Sequence, residues 1–365
     1  MHELVIVVSD LYLPQEAPER QLPPGVALPG LQHAARFGTR SKIAGGWRPW
    51  LARWLIADRQ GRRAAAASAG ALGNEDQKLL RAAPATVAAA ALMRGRTVTQ
   101  PATVWMATPV HLVAGLTSVH LDRRSLLRLS ADDLTALATE FERVFHDSGF
   151  VLEPLDSGDF LLFAPQMRIA QTSEPALLMG NSIADAQPVG AGDPALRRLG
   201  AEVEMWLHEH PLNDARRRRG EAPVTGLWLW GGGPSPSPRA AQTTGAASSD
   251  IAFGRDAYLE GLWASMGKKV FPLPQQLSDV FGYPQVRRAA VVIEIGLMLH
   301  SNPRWTFFDA VAQIDRAFIA PAVEALRAAK FARLVILAND RELALRARDR
   351  FKLWRQIPPG LSGLQ

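Results

Sequence analysis

The segment His210-Pro-Leu-Asn213-Asp-Ala-Arg216-Arg-Arg-Arg-Gly220, followed by Gly226-Leu-Trp228-Leu-Trp230-Gly231-Gly232-Gly233, sets a planar cation and three glycines on either side of an apolar run. A guanidinium pairs with carboxylate or phosphate through two parallel hydrogen bonds. Glycines directly after a strand allow positive φ and let an anion or another backbone come close. Asn213, Arg216, Gly231, Gly232 and Gly233 could together hold a small phosphorylated or carboxylated anion. The same residues also suit a helix with a basic solvated face, a core strand and a flexible turn. The run lacks the closing Gly-Lys-Ser/Thr of a P-loop and the spacing of a dinucleotide fingerprint, so residue types alone leave both readings open.

Metal chemistry has few donors to draw on. There are eight histidines and no cysteine, and no His-Glu-x-x-His spacing occurs. His208 and His210 bracket Glu209, but side chains at i and i+2 on a helix point apart. No thiolate can stand in for a missing imidazole.

Asn213, Arg216, Gly220 and the strand ending in three glycines resemble the Asn-x-x-Arg-x-x-x-Gly and strand-and-glycine segment of the archaeal-type, cofactor-independent phosphoglycerate mutases of the alkaline phosphatase superfamily. A weaker likeness runs along most of the chain: a first strand ending in Asp10, a Leu28-Pro-Gly-Leu-Gln-His33 turn, and a late strand ending Asn339-Asp340. Within that group the His-Pro-x-Asn and Leu-Trp-Gly-Gly-Gly phrasing, and the Ala-Asn-Asp and Phe-Lys-Leu-Trp-Arg segments, resemble the bacterial regulators of pathogenicity factors, type E. The resemblance implies an alkaline-phosphatase-like α/β core, a mainly parallel sheet flanked by helices, with an inserted smaller α+β subdomain. It implies residues 1–100 and 200–365 as core and 101–199 as insert; 234–249, rich in Pro, Ser, Thr, Ala and Gly with no large apolar residue, reads as a flexible loop.

Members of that superfamily hold two divalent metals with aspartates and histidines at strand ends, clamping the attacking and leaving oxygens, and use a Ser or Thr to take the phosphoryl group. By position Asp10 and Asp340 match two of the aspartates and are the candidate catalytic and metal residues, with Asn339 a candidate ligand contact beside them. Arg341 stands where a histidine should follow Asp340. Glu294 and His300 are wrongly spaced for the next ligand pair, and Thr39 and Ser41 sit in no recognisable nucleophile motif. The resemblance therefore points to a catalytically degenerate, regulatory or ligand-sensing protein with no cofactor. Manganese or zinc is expected only if a reduced site on Asp10 and Asp340 is real, which would make the chain a metal-dependent phosphotransferase or phosphohydrolase. The expected partner is a small anionic ligand or another protein.

The elements that must position these residues alternate. Leu4–Val8, Ala289–Ile295 and Arg333–Ala338 are unbroken apolar runs of the kind found in strands buried on both faces. Ser130-Ala-Asp-Asp opens a helix with Ser130 as its cap and two acids at the positive end, running to a stop at Gly149. Thr103–Pro109, Ala114–Leu121 and Asp159–Phe163 read as strands. Arg59–Gln77 reads as a mobile connection. Phe307–Ala329 reads as a long helix kinked or split at Pro321, with Asp315-Arg316 on a solvated face or, by family position, toward a ligand. Trp47, Trp50 and Trp54 align on one helix face, suited to core packing or a partner.

At 365 residues and 47% apolar content the chain can bury a large core. Its net charge of +6 is small for its length and spread out, with Arg216–Arg219 as the one cluster, which argues against nucleic acid. A nucleic-acid or protein interaction module using that cluster and the tryptophans is the third reading. No apolar run is long enough to span a bilayer and Leu4–Val8 is too short for a signal peptide, so a soluble cytoplasmic protein is expected.

Overall fold

The computed structural model describes residues 1–11, 22–65, 74–92, 102–115, 118–121, 124–178, 182–236, 249–283, 285–338 and 340–351. The chain divides into two units, one made of residues 1–80, 245–255 and 269–365 and the other of 81–244 and 256–268.

The first unit is α/β, built on a six-stranded sheet in the order Thr39–Lys42, Arg341–Arg346, Arg333–Ala338, Glu3–Val8, Arg288–Ile293, Asp250–Phe253. The last four strands run parallel and the first two are antiparallel to their neighbours. All six residues of Glu3–Val8 are buried, as a central strand covered on both faces requires. On one face Leu4, Ile6 and Val8, with Ala289, Val291, Ile293, Leu334 and Ile336, pack against Leu31 and Ala34 of helix Pro29–Phe37 and against Ala310, Ile314, Phe318, Ala322 and Leu326. The three strands expected from their apolar runs are all present.

Residues 28–33, expected as a turn, instead begin a helix with Pro29 in its first turn, where a missing N–H costs nothing. Leu28 offers no side-chain cap. The cap comes from Asp315, whose carboxylate accepts from Gly30 N at 3.0 Å and Leu31 N at 2.6 Å. Asp315 is therefore buried, at 1% exposure, and is neither solvated nor turned to a ligand. Burial pushes its carboxyl up from the usual value, opposed by those two N–H donors. The long helix holds as Phe307–Ile314 and Ala320–Arg327, joined by a π-helical stretch Asp315–Ile319 that carries this carboxylate, with Pro321 harmless in the first turn of the last segment. A side chain at Gly30 would collide with the Ala320 backbone, so the two helices meet only through a glycine.

Trp47 and Trp54 are buried in helix Trp47–Ala65. Trp54 Nε1 donates to Glu3 at 2.8 Å, Trp50 Nε1 donates to Glu342 at 2.9 Å, and the Arg288 guanidinium lies 4.1 Å over the Trp54 ring. The stripe is core. The same helix extends through 59–65 and another spans Asn74–Arg81, so much of the expected mobile connection is helical; 66–73 fall outside the described residues.

The second unit centres on an antiparallel sheet ordered Val151–Pro154, Phe160–Pro165, Ala102–Val110, Gly226–Pro234. Trp105, Ala107, Phe160 and Leu162 face Phe141, Val203 and Leu207 of the helices Ala131–Val144 and Asp193–His208, while Val104, Met106, Leu161 and Trp230 face Ala85, Ala88 and Ala257. Ser130 caps the first of these helices, its hydroxyl accepting from Asp133 N at 3.1 Å. Where Ala114–Leu121 is expected as a strand, the described residues form a two-residue ladder, Val113–Ala114 with Val119–His120. The expected boundary at 199/200 does not hold, because Gly226–Pro234 pairs antiparallel with Ala102–Val110 and draws the helices before it into this unit. Of the expected loop 234–249, Pro234 closes the strand and 237–248 lie outside the described residues.

Candidate functional site

In parallel sheets ligands bind beyond the carboxyl ends of the strands, where the strand order reverses. Of the parallel strands, Asp250–Phe253 and Arg288–Ile293 lie on one side of Glu3–Val8 and Arg333–Ala338, which follows them in the chain, on the other, so the crevice lies at its carboxyl end. Val8 pairs with Ala338 on one side and Ile293 on the other, which puts Asp10 and Asp340 each two residues past one paired position.

Both carboxylates have partners within the chain. Asp10 is 6% exposed. Its Oδ1 accepts from Ile295 N and its Oδ2 from Gly296 N, both at 2.6 Å, so both oxygens close the end of helix Ile295–Ser301. Asp340 stands between two cations, 3.8 Å from Lys42 Nζ and 3.4 Å from Arg341 Nε. Glu294 is the residue preceding helix Ile295–Ser301 and His300 lies within it. Thr39 and Ser41 lie on the exposed edge strand Thr39–Lys42, opposite Ala344 and Glu342. Asn339 lies outside the described residues. Among the described residues no group of three or more His, Cys, Asp or Glu side chains converges on a metal position.

The expected anion pocket is committed to the second unit's own chain. Asn213 is buried; its Nδ2 donates to Leu207 O at 2.7 Å and Val224 O at 2.8 Å, and its Oδ1 accepts from Val224 N at 2.7 Å. Arg216 is 1% exposed. Its Nε donates to Ala222 O at 2.8 Å, and its Nη1 lies 3.1 Å from Asp133 and 3.0 Å from Glu221. These contacts staple helix Pro211–Arg218 to the chain leading into the strand and commit Nε and Nη1 of the buried guanidinium to it.

The three glycines do not end a strand; they bend one. Val104 pairs with Gly233 and Met106 with Trp230, so Gly231 and Gly232 together oppose Trp105. This is a β-bulge, and Gly231 takes the positive φ, +62°, that such bulges place on glycine. A Cβ on Gly232 would strike the buried Trp105 indole, and one on Gly233 would strike Thr86.

No family model matches the chain. A stretch of 108 residues is 33% identical to a 2,3-bisphosphoglycerate-independent phosphoglycerate mutase of Methanothrix thermoacetophila, covering 29% of this chain and 27% of that protein. The match thus spans about a quarter of the relative's length. Among solved structures, a cofactor-independent phosphoglycerate mutase from Thermoplasma acidophilum aligns over 94% of this chain and 89% of its own at 14% identity, with a TM-score of 0.36. The PH0037 protein of Pyrococcus horikoshii aligns over 94% and 87% at 11% identity, with a TM-score of 0.45. Similarity to the phosphoglycerate mutases is therefore a property of part of the sequence.

The basic run is largely neutralised. Arg217 pairs with Asp214 at 2.6 Å, and Arg219 with Asp133 and Glu221 at 2.9 Å each, so Arg216 and Arg219 share the two carboxylates of Asp133 and Glu221. Sequence reasoning missed Asp133 as the centre of this network; its only local signal was its place in the first turn of a capped helix. His210 caps Pro211–Arg218 through Nδ1, which accepts from Leu212 N at 3.1 Å, while Nε2 faces Glu140 at 3.2 Å. Nδ1 is therefore the bare nitrogen. Burial lowers the imidazole pKa, partly offset by Glu140. No helix among the described residues is long and apolar enough to cross a membrane.

Proposed function

We propose that this chain is a phosphoglycerate-mutase-like protein of the regulator of pathogenicity factors type E group, with an alkaline-phosphatase-like scaffold that no longer transfers phosphoryl groups. Its role is regulatory, through recognition of a ligand or a protein partner. The observation that carries the reading is the state of the two strand-end aspartates: Asp10 has both oxygens on backbone N–H groups of 295 and 296, and Asp340 sits between Lys42 and Arg341. A carboxylate that already accepts from two backbone N–H groups, and one beside two cations, are weaker donors to a divalent metal, whose charge sets the local electrostatics. The partial sequence similarity supports the ancestry.

The test is manganese and zinc titration of the purified protein, with Asp10→Asn and Asp340→Asn beside it and a panel of phosphate esters as substrates. The expected result is no stoichiometric metal and no ester turnover. One or two metals bound per chain, lost on either substitution, would establish a reduced phosphohydrolase site instead.

A further inference from the structure

The second unit carries a cleft of about 260 Å³, slightly below the ~300 Å³ at which pockets begin to take drug-sized ligands. Leu112, Ile183, Pro188 and Trp228 supply apolar wall, and the Trp228 indole is held in place by its Nε1 donating to Ser173 O at 2.9 Å. One side of the cleft is a single stripe of helix Asp193–His208: Arg197, Gly200, Ala201 and Glu204, at the i, i+3, i+4, i+7 spacing of one helix face.

Two features of that stripe point to an occupant. Gly200 sits in mid-helix, where glycine costs about 1 kcal/mol relative to alanine. Its φ is not positive, and a Cβ there would meet nothing within 4 Å. Neither backbone nor packing calls for glycine, and its effect is to keep the cleft open. The two charges on the stripe are also unequal. Arg197 is balanced by Asp193 one turn back and reaches Pro188 O, whereas Glu204 has no hydrogen-bond or ion-pair partner among the described residues. Glu204 is exposed at the mouth of the cleft, where partial desolvation pushes its carboxyl up from its usual value.

We propose that this cleft binds a small organic cation, an ammonium borne on an apolar or aromatic body, with Glu204 as its counter-ion. The body lies against the Trp228 wall and over Gly200, and the ammonium meets the one carboxylate of the stripe that lacks a partner. An anion is disfavoured by the same carboxylate, and a neutral molecule gains only the apolar contacts. The site is independent of the strand-end aspartates and of any phosphoryl chemistry.

The experiment is titration calorimetry on the full chain with three probes of one shape, 2-phenylethylamine, 2-phenylethanol and 3-phenylpropionate. Binding of the amine at least tenfold tighter than of the other two, and at least tenfold weaker to Glu204→Gln and Gly200→Trp, is the expected result. Glu204 and Gly200 lie outside the core, and circular dichroism checks that both variants fold. The proposal is overturned if the amine binds no tighter than the alcohol, if Glu204→Gln binds it like the parent, or if none of the three probes binds.

Discussion

Replacing Asp133 with alanine tests whether Arg216 is a structural cation or a ligand group. In the folded chain Asp133 Oδ2 takes Arg216 Nη1 at 3.1 Å and Arg219 Nη2 at 2.9 Å, with Arg216 1% exposed. Removing one partner of a buried ion pair costs about 3–5 kcal/mol, because the remaining charge is left in a medium that solvates it badly. Here the loss falls at the low end, about 3 kcal/mol, since Glu221 stays 3.0 Å from the same nitrogen and Ala222 O still accepts from Nε. Asp132→Ala is the control. It removes an exposed carboxylate from the same first turn and loses only the helix-dipole interaction, about 0.3–1 kcal/mol. Urea denaturation followed by circular dichroism reads both variants, and a cycle with Arg216→Met should return a coupling of about 1–3 kcal/mol. An Asp133→Ala loss within about 0.5 kcal/mol of the Asp132→Ala loss would refute the structural reading, because double-cycle precision resolves that difference.

Three other outcomes follow from geometry. Because the folded His210 pKa lies below its ordinary value of 6.5, the unfolded chain binds the proton more tightly; His210 then lowers stability as pH falls below about 6.5, and His210→Asn, which keeps a capping acceptor, should flatten the denaturation midpoint between pH 7 and pH 5 relative to the parent. Gly232→Ala should destabilise the second unit by at least about 1–3 kcal/mol, the range for overpacking a well-filled core, seen as a lower thermal midpoint; an unchanged midpoint would show that Trp105 can move aside. Asp250→Ala should cost about 3–5 kcal/mol in urea, since Arg288 pairs with it at 3.0 and 2.6 Å and both are buried; a loss under about 1 kcal/mol, the worth of an exposed pair, would contradict the buried pairing.

What the sequence disclosed was local. The runs at Leu4, Ala289 and Leu334 announce buried strands because a central parallel strand is apolar almost throughout, and Ser130 announces its helix because a cap acts within three residues. What it concealed was supplied from a distance. The helix at Pro29 takes its cap from Asp315, 285 residues along the chain, so no nearby residue signals it, and Asp315 reads as a surface acid. Gly231–Gly233 read as a strand's end because glycine weakens strands, yet an isolated glycine cluster inside a strand also marks a bulge, and only the Trp105 ring across the sheet decides between them. Arg216 looked like a ligand group because its partners, Asp133 and Glu221, are not adjacent in an order that spacing can reveal. The strand-end aspartates were legible by resemblance, but their engagement with backbone N–H groups and with Lys42 was not.

The π-helical stretch Asp315–Ile319 holds one residue more per turn than the α-helix on either side. Each residue of an α-helix turns the following face by about 100°, so this single extra position sets the angle at which Ala322, Val323 and Leu326 meet the sheet relative to Ala310 and Ile314. Deleting one residue there would leave a smoother helix and a misaligned core. The irregularity thus works as a phase adjuster, reconciling two apolar faces of one helix that a uniform 3.6-residue period would leave pointing in different directions.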